Sequence, residues 1–349
     1  MFLDFYGLKE EPFGVTPDSR FLYLSPEHRE ALASLYYGIE AGRGFMALIA
    51  VPGMGKTTLL FHLLERFRAS ARTAFLFQTQ CTSREFMRFL LNELGCESGI
   101  GQDPVIMHDE FNRLLLQEAR AGRRCIVIVD EAQNLDFSVL ETIRLLSDFE
   151  TPRAKLLQIV LAGQPGLADK LAHPSLAQLR QRISLIGRLN TLPTHEIRNY
   201  MQYRLKMAGL KQSEIFTDEA YEMIAELSLG IPRNINNLCF NALSLGFALR
   251  EQTIGRDIMR EVAADLDLTN LVTHPGEMSC PPDAMLDTIP RESGQWVQPE
   301  RPYMQPASAA AGGAPAAGAR SGETVTPIEA KAYMQQVVQL LRNGSRIPN

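Results

Sequence analysis

From about residue 45 to residue 190, short apolar runs alternate with longer stretches whose apolar residues recur every three or four positions. Runs of the first kind at 45–50, 73–78, 125–130, 156–162 and 183–189 predict strands. Stretches of the second kind at 57–69, 83–94, 106–121 and 137–149 predict helices. A strand that is apolar at every position is buried on both faces, and strand–helix alternation builds a parallel sheet covered by helices. Residues 193–267 keep the helical spacing without a convincing strand, with helices expected near 194–208, 217–228, 233–250 and 255–267. Ahead of the alternation, residues 1–24 are turn-rich and carry Phe2, Phe5, Tyr6, Phe13, Phe21 and Tyr23. Ser25-Pro26 then reads as an N-cap and a first helical position, opening a helix to about Ala41.

These shifts divide the chain into an N-terminal aromatic segment with its helix (1–44), an α/β core (45–191) and a small helical domain (192–270). Residues 271–325 are proline-rich and include the low-complexity run 306–318, the composition of a disordered linker. The one tryptophan, Trp296, falls in it. A capping-box start at Thr326-Pro327-Ile328-Glu329 precedes Tyr333, Val337, Val338, Leu340 and Leu341 at helical spacing, so a last amphipathic helix is expected over 326–343.

Chemistry enters at the end of the first strand. Ala50-Val-Pro52-Gly53-Met54-Gly55-Lys56-Thr57-Thr58 lies between an apolar strand and a helical stretch, the layout of a phosphate-binding loop. Backbone N–H groups at a helix start have no internal partner and point outward at the positive dipole end. Gly53 and Gly55 let the chain curl around an anion. Lys56 would reach the β- and γ-phosphates of ATP, and the Thr57 hydroxyl would hold Mg²⁺. The first position of such loops is usually glycine; here it is Ala50, the smallest departure.

Hydrolysis needs a metal anchor and a base, and the run Cys125-Ile-Val-Ile-Val-Asp130-Glu131 supplies both at the end of a strand that reads as buried. In open α/β sheets the ligand lies off that edge. Asp130 would bind Mg²⁺ through water, and Glu131 would act as general base on the attacking water. Gln164, closing the strand Leu156–Gly163, would sense the γ-phosphate; a plain loop glutamine is the alternative. Arg180 and Arg182 are candidate finger arginines acting across a subunit boundary, with surface arginines as the other reading. Arg233, after Gly230-Ile-Pro232, would reach the nucleotide from the helical domain.

Composition narrows the setting without changing this picture. The 349 residues are 45% hydrophobic and 21% charged with a formal charge of −5, which does not announce a nucleic-acid binder. The cysteines, Cys81, Cys96, Cys125, Cys239 and Cys280, lack metal-ligand spacing and fit reduced thiols of a cytoplasmic protein. No signal-peptide pattern and no membrane-length apolar run are present, so the expected location is the cytoplasm, with peripheral placement at the inner membrane left open.

Together these motifs resemble AAA+ ATPases: α/β P-loop proteins with a parallel sheet flanked by helices, then a small all-α lid and here a disordered C-terminal tail. The opening is more specific. Phe5-Tyr-Gly-Leu-x-Glu-x-Pro-Phe13, Thr16-Pro-Asp-x-Arg-Phe-Leu-Tyr-Leu-Ser25 and His28-Arg-Glu-Ala31 resemble the secretion ATPases of the general secretion pathway protein A type. So do Val129-Asp-Glu-Ala-Gln133 and Leu161-Ala-Gly-Gln-Pro165. The resemblance covers about residues 1–268 and implies that the N-terminal segment wraps the adenine, with Tyr23 and His28 near the base; packing roles for both stand beside that. Secretion members of the family continue into a transmembrane helix and a periplasmic domain, neither of which the sequence shows. Related families include transposition target-selection ATPases that assemble on DNA. The implied function is Mg-dependent ATP hydrolysis by a homo-oligomer, energising or regulating a secretion, pilus or exopolysaccharide-export complex. Two alternatives remain: a DNA-assembled target-selection ATPase, which the acidic core does not favour, and a non-hydrolysing nucleotide switch that recruits a partner.

Overall fold

A computed structural model describes residues 2–96, 103–151, 154–211 and 214–266. The linker at 271–325, Trp296 and the helix expected at 326–343 lie outside the described residues.

The strands are β1 (Phe45–Ala50), β2 (Ala71–Leu76), β3 (Arg124–Val129), a hairpin of β4 (Glu150–Thr151) and β5 (Ala154–Lys155), β6 (Leu157–Gly163) and β7 (Ile183–Leu189). Five of them form one sheet in the order β2-β3-β6-β1-β7, every pair parallel. All of β1 and β6 is buried, as their unbroken apolar runs require. Burial on two faces still obeys a period of two. Met46, Leu48 and Ala50 pack with Ile126, Ile128 and Val160 on one face. Phe45, Val127, Val129, Ile159 and Leu161 pack on the other. The edge strand β7 alternates instead, with Ser184, Ile186 and Arg188 exposed.

Helices α1 (Phe2–Phe5), α2 (Pro26–Glu40) and α3 (Lys56–Phe67) precede β2, and α4 (Ser83–Glu93) and α5 (Pro104–Arg120) lie between β2 and β3. Leu35 and Ile39 of α2 and Leu59, Leu60 and Leu63 of α3 cover the first face. Helix α4, helix α5 and α6 (Phe137–Leu146) cover the second, together with α7 (Pro165–Ala172) and α8 (Ala177–Arg182). The cap expected at Ser25 is present, and a second one opens α4. Ser25 Oγ accepts from His28 N ahead of Pro26, and Thr82 with Glu85 closes a reciprocal capping box on α4.

Four more helices follow: α9 (Thr194–Met207), α10 (Asp218–Ser228), α11 (Pro232–Leu249) and α12 (Arg256–Asp265). They share one apolar cluster with Tyr6, Leu8, Phe13 and Phe21. The N-terminal aromatics therefore pack on the helical domain, while α2 of the same segment packs on the sheet. The segment that leaves β7 is held to the turn before α11 by a backbone contact, Leu192 N donating to Gly230 O at 2.8 Å. Gly230 sits at φ +71°, and a Cβ there would lie 2.2 Å from Leu192 O, so glycine is required twice over.

Candidate functional site

The sheet order decides where the motifs meet. Strand β6 lies between β1 and β3, with Ile49 opposite Gly163 and Val129 opposite Leu161. The residues that follow each strand, Ala50–Thr58, Asp130-Glu131 and Gln164, therefore emerge along one rim. Above them lies a cleft of about 220 Å³, walled by the sheet rim, residues 14–23, the middle of α9 and the first turns of α11. Pro52, Gly53, Met54, Gly55, Lys56, Thr57, Thr58, Glu131, Gln164, Arg233, Tyr23 and His28 all line it.

The loop takes the shape that its glycines permit, Gly53 at φ +86° and Gly55 at φ +83°. Gly55 caps α3 and carries no side chain to satisfy the first N–H groups of that helix, which are left for a ligand. Lys56 is 5% exposed; its ammonium donates to Ala50 O at 3.3 Å, and burial pulls its pKa down. A desolvated ammonium at a helix N-terminus calls for an anion. Beneath the loop, His28 is buried with Nε2 against Met54 O at 3.0 Å and Nδ1 against Ser25 Oγ at 2.8 Å. Burial lowers its pKa, so the neutral ring donates from Nε2 and accepts at Nδ1. Both nitrogens are thus taken by protein, and His28 braces the loop from α2.

Thr57 Oγ1 donates to Asp130 Oδ2 at 2.6 Å, joining the two motifs directly. Asp130 is 2% exposed, and burial pushes its carboxyl upward against the hydrogen bonds from Thr57 and Glu131 N. Two hard oxygen donors, one a desolvated carboxylate, fit a divalent cation such as Mg²⁺, whose charge would relieve that burial. Glu131 occupies the left-handed region at φ 52°, an uncommon conformation for a side-chain-bearing residue. Its Oε2 accepts from Gln133 Nε2 at 2.7 Å and Gln164 Nε2 at 3.0 Å.

The lid reaches the loop through its backbone, Arg233 N donating to Gly53 O at 3.2 Å. On the far wall, Tyr23 donates to Glu196 on α9 at 2.6 Å. Burial and that carboxylate push the Tyr23 phenol up to about 12. Tyr200, Arg204 and Asn236, which sequence reasoning did not single out, line the same wall. Arg204 donates to Tyr200 Oη at 3.1 Å, and Tyr200 donates to Asn236 Oδ1 at 2.7 Å. Tyr200 and Arg204 are one helical turn apart, which marks a shared face of α9 but says nothing of what the face meets. Arg180 and Arg182 are not brought to the cleft. Arg180 donates to Ala172 O, and Arg182 is held by Ser147 Oγ and Asp148.

Residues 39–171 match the AAA domain family. General secretion pathway protein A of Aeromonas hydrophila is 40% identical over 248 residues, 71% of this chain and 45% of that protein. The chain thus spans under half the length of that relative. Cdc6p of Pyrobaculum aerophilum shares the fold at a TM-score of 0.57 and 18% identity, covering 71% of this chain and 70% of that one. The ORC2 protein of Aeropyrum pernix, solved in ADPNP-ADP complexes, does so at 0.56 and 14%, covering 74% and 72%. With a five-stranded parallel sheet in this order and these motifs along one rim, the chain has the P-loop fold of AAA+ proteins, carries an AAA domain over residues 39–171 and is similar to general secretion pathway protein A.

Proposed function

We propose that the cleft binds Mg-ATP and hydrolyses it to ADP and phosphate. The observation that carries this reading is the 2.6 Å bond between Thr57 and Asp130, which puts the phosphate loop and the acidic strand end at one point. The orphan N–H groups of the loop and of α3 would hold the β- and γ-phosphate oxygens, and Lys56 would offset their charge. Thr57 and Asp130 would hold Mg²⁺, which when bound supplies Lewis-acid stabilisation of the phosphate oxygens. Glu131 would orient a water in line with the γ-phosphorus and accept its proton as the bond to the leaving ADP oxygen breaks. Gln164 would donate to a γ-phosphate oxygen. Tyr23, tied to α9 through Glu196, would form the base-side wall, and His28 would keep the loop in its anion-binding shape.

Arg233, whose backbone already touches Gly53, would report the phosphate state to the lid. Arg180 and Arg182 lie outside the cleft lining of their own chain and would act as fingers only on a neighbour's nucleotide in a homo-oligomer. The similarity to general secretion pathway protein A supports a cytoplasmic ATPase, peripheral at the inner membrane, that energises or regulates a secretion or export complex. Among the described residues no helix is long and apolar enough to cross a membrane.

The test is phosphate release from ATP as a function of protein concentration, with and without DNA. A specific rate that climbs with concentration supports assembly-dependent hydrolysis. A rate strictly proportional to protein contradicts it, and strong, salt-sensitive stimulation by DNA would move the assignment to the DNA-assembled class.

A further inference from the structure

We infer that Gln133 is a positioning residue for Glu131, a role that rests on the hydrolytic reading above. Gln133 Nε2 donates to Glu131 Oε2 at 2.7 Å, and Gln133 Oε1 accepts from Gln164 N at 3.0 Å. Gln164 Nε2 donates to the same Glu131 oxygen at 3.0 Å, closing a ring of three residues. The direction of the Gln133 amide follows from its partners. A backbone N–H can only be accepted and a carboxylate can only be donated to, so a flipped amide would face two repulsive contacts.

The surroundings are shaped around this amide. A Cβ on Gly163 would lie 2.7 Å from Gln133 Oε1, so glycine at the end of β6 makes the space it fills. Lys170 on α7 donates to Gln133 O at 2.6 Å and to Leu135 O at 2.8 Å, which ties the turn after Glu131 to the helix behind Gln164. Glu131 itself holds a left-handed backbone at φ 52°, a conformation that persists where neighbours over-determine it.

The consequence concerns what happens when phosphate arrives. Gln164 has its own task at the γ-phosphate, and its side-chain amide must serve two acceptors. Gln133 lies outside the cleft lining and has no part at the phosphate. It keeps one oxygen of Glu131 pinned while Gln164 adjusts, and it holds Gln164 by the backbone so that the adjustment stays local. The other carboxylate oxygen takes no part in the ring and is left for the water. Gln133 thus couples the phosphate-sensing strand to the base without touching the substrate.

Two variants separate this role from packing. Gln133→Glu keeps the shape but turns the donor into a negative oxygen facing Glu131. Gln133→Leu removes donor and acceptor without adding charge, and carries the test if the first variant does not fold. The expected result is a kcat lower by on the order of 10- to 100-fold. KM and the ATP dissociation constant, measured by titration of the unreacted protein, stay within about twofold of wild type because no phosphate contact is removed. Gly163→Ala, which crowds the same amide, is expected to show the same split. Wild-type kcat in Gln133→Leu or a folded Gln133→Glu overturns the inference, as does a loss of ATP affinity in step with the loss of rate. A wild type that binds ATP and never turns it over overturns the hydrolytic reading and this inference with it. An active wild type with equally active variants overturns the inference alone.

Discussion

Lys56 is a buried ammonium with one hydrogen bond, to a carbonyl at 3.3 Å, and burial pulls its pKa down more than the nearby Glu131 and Asp130 carboxylates raise it. Such a group costs the folded state and is offset by the anion it binds. Replacing it with alanine is therefore expected to weaken ATP binding on the order of 100-fold, with the thermal midpoint of the ligand-free protein unchanged or raised. Titration and calorimetry on Lys56→Ala check the two halves together; a destabilised, normally binding variant would contradict both. The neighbouring residues were unequally legible. Lys56, Thr57 and Asp130 could be read because their spacing between strand and helix carries a mechanism. Gln133 and Asn236 fall within motifs of the sequence but carry no role there, because an amide's role depends on which groups face it across the fold.

Between elements, the phosphate loop is held from two sides. Helix α2 supports it through His28, and α11 touches it through Arg233 N. The His28 ring is buried neutral, with its pKa lowered from the ordinary 6.5. The unfolded chain therefore binds the extra proton first as pH falls. His28's contribution to stability is complete above pH 6.5 and is lost as pH drops from there toward the lower folded pKa. Denaturation midpoints measured between pH 8 and 5 should fall more steeply for wild type than for His28→Gln over that window; equal slopes would show that the ring does not titrate on unfolding. Gly230 makes the same kind of argument in backbone terms. Gly230→Ala would set a Cβ against Leu192 O at a φ that disfavours L-residues, and a loss of about 1–3 kcal/mol is expected in chemical denaturation.

Element boundaries were legible where apolar periodicity was strong. β2 begins at Ala71, two positions before the expected start, because Ala71 and Arg72 are only half-buried and do not extend the apolar run. The β4–β5 hairpin, α7 and α8 were too short for a period to declare itself.

At the scale of the whole molecule, the cleft exists only because the α/β sheet, the N-terminal segment and the helical domain meet over one rim. Sequence patterns suggested each part, and the α/β P-loop class followed from strand–helix alternation. That Tyr6, Phe13 and Phe21 would pack with α9–α12 was not readable, since aromatics announce burial without naming their partner. A ligand gripped by several bodies stabilises them jointly. Mg-ATP is therefore expected to raise the thermal midpoint of wild type, and that of Lys56→Ala by much less at the same ATP concentration. Arg182→Ala is expected to keep ATP affinity and lose turnover in the assembled protein, with normal affinity and unchanged turnover counting against a finger role.

The most direct test of the central claim, that one cleft both binds ATP and breaks it, is a paired measurement on Glu131→Gln: ATP affinity by titration and phosphate release by single turnover of the assembled protein. The account predicts affinity within about threefold of wild type and a rate lower by on the order of 100-fold or more. Phosphate release at the wild-type rate would contradict it.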